Sequence, residues 1–119
     1  MTEKLNSKQY DLEERTLTFS KMVREYVTKL PKTISNIEYS KQLIRSSGSI
    51  GANYIEANES LSKKDFVMRV KISRKEAKET RYWLNLTIPE KQFENEQSRL
   101  VAESSELIKI FSSIIEKSK

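Results

Sequence analysis

Two glycines and two prolines are all that this 119-residue chain has for sharp changes of direction. β-Sandwiches and barrels need turns every ~8–12 residues, commonly built on these residue types. A chain so poor in them runs in long elements, and its apolar residues recur at three- and four-residue spacing, the period of an α-helix. Phe19, Met22, Val23, Tyr26, Val27 and Leu30 form one such stripe, extended backwards by heptads through Leu12 and Leu5. Pro31 stops it, because the residue before a proline is pushed out of the α region. Ser35 and Glu38 have the spacing of a capping box and predict the next helix start. That helix continues through Ile37, Leu43, Ile44, Ile50, Tyr54 and Ile55. Ser62 and Asp65 give a further start signal, Pro89 a further break, and Leu100, Leu107, Ile108, Phe111, Ile114 and Ile115 a last stripe. The expectation is one all-α domain spanning 1–119, an antiparallel up-down four-helix bundle with helices over about 7–30, 35–59, 63–88 and 94–117.

Apolar residues make up only 36% of the chain, below the ~45–50% usual for globular domains. Leu, Ile, Val and Phe together still number 30, about a quarter, above the ~20% floor associated with disorder. A lean core in a small domain predicts an elongated bundle, an oligomer, or both. Cysteine and histidine are absent. Disulfides, thiol nucleophiles, histidine-based triads and the usual zinc and haem ligand sets are thereby excluded. Glu56, Glu59, Glu76 and Glu79 invite a metal reading, but a di-iron bundle site also needs Glu-x-x-His motifs. No cofactor, metal or catalytic residue is expected, and the chain reads as a non-enzyme. No apolar run nears the ~18 residues of a membrane span, and the first residues lack the apolar core of a signal peptide. The expected location is the cytoplasm, with no membrane partner.

Gly48 and Gly51 lie in the middle of the second helix, where each costs about 1 kcal/mol relative to alanine. On a helical wheel they join Ile37, Ile44 and Ile55, so that stripe is expected to face the core or a partner, with the glycines admitting a close backbone. A phosphate cradle would need a preceding strand and a Lys-Ser/Thr pair, and neither is present. The other side of this helix carries Arg45, Ser49, Asn53 and Glu56 at spacings that form one polar line. This line is either a solvated face with an internal Arg–Glu network or a polar seam that orders a neighbouring subunit or binds an RNA group.

The net charge of +5 is unevenly placed. Residues 63–89 carry eight basic and three acidic side chains, whereas each of the other segments is within one charge of neutral. Lys63, Lys64, Lys71, Arg74, Lys75, Lys78 and Arg81 fall within an arc of ~120°, along about 27 Å of helix, and Tyr82 shares that arc. A cationic ridge of this kind suits phosphates, whose neutralisation releases counterions; the plain alternative is a face that keeps the protein soluble. Phe66, Val70, Ser73, Ala77, Leu84 and Ile88 form the expected core stripe of the same helix. Met68, Ile72, Trp83 and Leu86 gather on another side near Glu76 and Glu79. That second stripe reads as an oligomer interface or as internal core, with Trp83 the kind of residue that anchors an interface.

The run Ser40-Lys41-Gln42-Leu43-Ile44-Arg45-Ser46-Ser47-Gly48-Ser49-Ile50-Gly51-Ala52-Asn53-Tyr54-Ile55-Glu56-Ala57 resembles the signature of the 23S rRNA intervening-sequence protein family. Ser62-Lys63-Lys64-Asp65-Phe66 and Lys75-Glu76-Ala77-Lys78-Glu79-Thr80-Arg81-Tyr82-Trp83-Leu84 resemble its second block. Lys29-Leu30-Pro31 and Glu106-Leu107-Ile108-Lys109-Ile110 fit as well, and Tyr54 stands where the family more often has a smaller or aliphatic residue. The resemblance implies a four-helix bundle assembled as a ring-like homo-oligomer, commonly a pentamer. It also implies kinship with the accessory variability proteins of diversity-generating retroelements, which bind nucleic acid and a reverse transcriptase. It supplies no catalytic residues. The resulting expectation is an oligomeric bundle that binds structured RNA or DNA through Lys64, Lys71, Arg74, Lys75, Lys78 and Arg81. Arg45, Asn53, Glu56, Ile72, Glu76, Glu79 and Trp83 would form an oligomer interface or polar seam. The alternative is a structural or protein-interaction scaffold with no direct nucleic-acid binding.

Overall fold

The computed structural model describes the backbone of residues 2–119 and the side chains of residues 11–119. Four helices follow one another: α1 (Thr2–Thr28), α2 (Ile34–Asn58), α3 (Lys63–Leu86) and α4 (Glu94–Lys117), the last entered through a short 3-10 turn at Lys91–Phe93. No strand occurs among the described residues. Short connections force neighbours to run antiparallel. Each helix packs on its neighbours in sequence and α1 closes against α4, giving an elongated bundle of 47 × 24 × 19 Å.

The helix starts follow from capping chemistry. Ser62 caps α3 as its sequence position predicts, its hydroxyl accepting from the Asp65 amide at 3.1 Å. The start of α2 is a correction: Thr33, not Ser35, is the cap. The extended backbone of Thr33 lets its hydroxyl accept from the Asn36 amide, whereas Ser35 already lies in the first turn and Glu38 pairs with Lys41. At α4, Glu94 and Glu96 stand in the first turn, where carboxylates oppose the positive end of the helix dipole.

The core is a column of Leu12, Phe19, Val23, Tyr26, Leu43, Ile50, Tyr54, Val70, Ala77, Leu84, Leu100, Leu107 and Phe111, joined by Leu30, Ala57 and Ile115. Leu5 lies outside the residues whose side chains are described. Tyr54 is accommodated in this core with its ring tilted against Phe111, centroids 6.0 Å apart. Serine, alanine and threonine line the α2–α3 contact. Ser73 donates to the Ile50 carbonyl across it, and the Thr80 and Ser46 hydroxyls meet at 2.8 Å. A serine side chain reaches a neighbouring helix's backbone only where the two helices approach closely, so small residues here are a packing requirement. One end of the bundle is tied by Asn36. Its amide donates to the carbonyls of Pro31 and Ile88, and its oxygen accepts from the Ile88 amide, each at 3.0 Å. Beside it, the Tyr26 and Thr87 hydroxyls meet at 2.8 Å, and Gln97 donates to the Leu84 and Thr87 carbonyls.

The exposed side of α2 narrows one expectation, that the isoleucine stripe faces the core or a partner, by excluding the core. Ile37, Ile44 and Ile55 do not enter the core; they are 43%, 47% and 48% exposed, and the buried stripe consists of Leu43, Ser46, Ser47, Ile50, Tyr54 and Ala57. Both stripes repeat with helical period, and the one carrying the small serines fits against α3. The two glycines also part company. A Cβ at Gly51 would lie 2.8 Å from the Thr16 hydroxyl oxygen and 3.2 Å from its Cβ, so α1 crosses α2 there. A Cβ at Gly48 would meet only Ser20, at 4.0 Å. Ile88, expected in the α3 core stripe, lies beyond the helix end and is exposed, while Phe66 is half-buried.

Candidate nucleic-acid interface

The outward face of α3 carries the basic residues in two rows. Lys64, Lys71, Lys75 and Lys78 point to solvent, and among the described residues none of them forms an ion pair. Arg74 and Arg81 lean toward α4 instead and are half-buried. Arg74 donates to the Ser112 hydroxyl at 3.3 Å and Arg81 to that of Ser105 at 3.1 Å. Both pairs are seven residues apart and run in opposite directions, which is the register of antiparallel helices.

Several α4 carboxylates are engaged by cations outside this face. Glu103 takes a two-pronged contact from Arg15 of α1, at 2.7 and 2.9 Å, and Glu96 takes Lys29 at 2.8 Å. The Glu103 contact raises the Arg15 pKa, against a smaller opposing effect of burial. Glu106 pairs with Lys109 on α4 and Glu116 with Lys119 just past its end, and the Lys119 contact, with a smaller contribution from Arg74, holds the exposed Glu116 carboxyl below the usual carboxylate range. Where α4 ends, Lys63, Lys64 and Lys71 surround a shallow recess with Val67, Met68 and Ser118. Cations gathered there meet the negative end of the α4 dipole.

The other predicted group lies at the α2–α3 edge. Arg45 bridges Glu76 at 3.3 Å and Glu79 at 2.9 Å, and Arg69 donates to Asn53 at 3.1 Å. These residues thus form a polar seam between two helices of one chain. Glu56 is exposed on α2, away from the Arg45 cluster. Trp83 is half-buried, its ring 6.1 Å from Tyr39 on α2 and 5.2 Å from Tyr82. Ile72 is half-buried on the same side of α3, whereas Met68 remains exposed. Arg69 is the member that wheel reasoning passed over, although the opposed Asn53 was a readable sign of it. Glu76 and Glu79 are committed to Arg45, and no group of three metal-ligating side chains occurs among the described residues.

The model of the 23S rRNA-intervening sequence protein family matches residues 8–113. The chain belongs to this family. Among solved structures it is similar to a crystal structure from Bacteroides thetaiotaomicron, described as a protein of unknown function from the S23 ribosomal protein family. The two share 31% identity over 87% of this chain and 96% of that one, with a TM-score of 0.73. The comparison with curated proteins finds no match. For this member of the 23S rRNA-intervening sequence protein family, then, fold and family agree. The described helices include none long and apolar enough to cross a membrane.

Proposed function

We propose that this protein is a non-enzymatic, self-associating four-helix bundle of the cytoplasm that binds structured RNA or other nucleic acid through the outward face of α3. The observation that carries the reading is the row of Lys64, Lys71, Lys75 and Lys78, exposed and without ion pairs among the described residues. The neighbouring Arg74 and Arg81 of the same face are bonded to α4 serines, Ser112 and Ser105. Spread along about 21 Å of helix, these ammonium groups neutralise successive phosphates and so give affinity with little sequence preference. Self-association is supported by the exposed isoleucines of α2 (Ile34, Ile37, Ile44 and Ile55), which lie off its core stripe. A ring of copies, five in the assembly expected for this family, repeats the basic row and raises avidity without any new contact.

The test is a triple charge reversal, Lys71→Glu, Lys75→Glu and Lys78→Glu, with RNA binding followed by fluorescence anisotropy at fixed salt. The expected result is a loss of at least a hundredfold in affinity, with helicity and solution mass unchanged. Unchanged binding by the variant overturns the reading. A second reading, a scaffold for another protein such as a reverse transcriptase, draws on the same α2 isoleucines. It is favoured if the purified protein is monomeric and has no salt-sensitive affinity for RNA.

A further inference from the structure

Tyr82 occupies an unusual place for an aromatic ring. It lies one turn beyond Lys78 on the lysine row, about 6 Å along the helix axis, with Lys75 about 10 Å and Lys71 about 16 Å behind it. The side chain is 60% exposed, and its hydroxyl makes no hydrogen bond among the described residues. The core does not use it. What holds it is Trp83, whose ring stands at 74° to it with centroids 5.2 Å apart. Trp83 is in turn set against Tyr39 of α2. The three rings run from the α2–α3 edge out to the cationic row and end on an aromatic surface open to solvent.

We infer that Tyr82 is a stacking platform for an unpaired base, and that the ligand of the α3 row is single-stranded nucleic acid or an unpaired loop of a folded RNA. The inference rests on the nucleic-acid reading above and names its ligand class. A duplex buries the faces of its bases in its own stack, so it gives an exposed ring nothing to cover. A single strand offers both a phosphate track and open π-faces, which is the combination of lysine row and terminal aromatic seen here. Stacking serves any base, because every base has a π-face. The strand runs with a base on Tyr82 and its neighbouring phosphates along Lys78, Lys75 and Lys71.

The experiment compares a short oligouridylate, an abasic strand of the same length and a blunt RNA duplex against wild type, Tyr82→Ala and Tyr82→Phe. Affinity is read by anisotropy. The emission of Trp83, the single tryptophan, supplies a second signal from the ring beside the platform. Wild type is expected to bind the oligouridylate about tenfold tighter than the abasic strand and to show Trp83 quenching only with bases present. Tyr82→Ala is expected to lose that tenfold on the oligouridylate, to bind the abasic strand as before and to keep the wild-type salt slope. Tyr82→Phe retains wild-type affinity. Equal binding of Tyr82→Ala and wild type to the oligouridylate overturns the inference, as does an abasic strand or duplex that binds as tightly as the oligouridylate. In those cases salt-sensitive binding still supports the lysine row. Absence of salt-sensitive binding to all three probes overturns both readings together.

Discussion

The two glycines of α2 respond differently to the same substitution, and the difference follows from one close approach. Replacing either by alanine inside a helix gains about 1 kcal/mol of helix propensity. At Gly48 the new methyl meets only Ser20 at 4.0 Å, so the gain is kept. At Gly51 it arrives 2.8 Å from the Thr16 oxygen and 3.2 Å from the Thr16 Cβ. Thr16 has little freedom to yield, because it is buried and its hydroxyl donates to the Glu13 carbonyl at 2.9 Å. Overpacking of this kind costs about 1–3 kcal/mol. Gly48→Ala is therefore expected to stabilise by about 1 kcal/mol and Gly51→Ala to destabilise by about 1 kcal/mol. Urea unfolding followed by circular dichroism resolves that gap, provided the m-value is unchanged. The measurement belongs at several protein concentrations, because the proposed association through α2 would add a concentration-dependent contribution to apparent stability. Adding Thr16→Ala to Gly51→Ala is expected to recover part of the loss. A Gly51→Ala protein as stable as Gly48→Ala would refute the close crossing of α1 and α2.

Three further outcomes follow from other parts of the bundle. Asn36→Ala strands the Ile88 amide and the Pro31 and Ile88 carbonyls at the tied end, and is expected to cost about 2–3 kcal/mol in the same unfolding experiment. Burial raises the Tyr26 phenol above its usual pKa, against its bond to Thr87, and does the same for Tyr54 against Asn58. Both ionise first in the unfolded chain, so their contribution is complete below the ordinary phenol range and is lost as pH rises through their folded values. Stability is expected to fall from about pH 10 upward by as much as ~1.4 kcal/mol per pH unit for each, with tyrosinate absorbance at 295 nm rising together with the loss of helicity. Ile44→Glu on the exposed side of α2 is expected to lower the solution mass toward that of one chain, by light scattering, while changing urea stability of the dissociated protein by less than about 0.5 kcal/mol.

How much of this was legible in the chain depended on whether a helix had one reading or two. Helix α1 has a single apolar stripe through Phe19, Val23 and Tyr26, and it is the stripe that the core uses. Helix α2 has two, through Leu43, Ile50 and Tyr54 and through Ile37, Ile44 and Ile55. Periodicity alone does not say which is buried; the close α2–α3 packing selects the one carrying Ser46 and Ser47. The basic arc of α3 was visible from charge and spacing. Its division into an open lysine row and a pair of arginines turned to α4 required the register that sets Arg74 against Ser112 and Arg81 against Ser105. Asn36 gave no sequence signal, since a polar residue in the first turn of a helix is ordinary until two loops from distant parts of the chain converge on it.

The most direct test of the central claim is the salt dependence of RNA affinity for the unmodified protein. Four lysines, each displacing the counterions of one phosphate, give a slope of log affinity against log salt of about −3 per subunit on a single strand. A slope near that value or steeper, as more subunits engage, is the expected result. Affinity that does not change with salt, or no affinity at low salt, contradicts it.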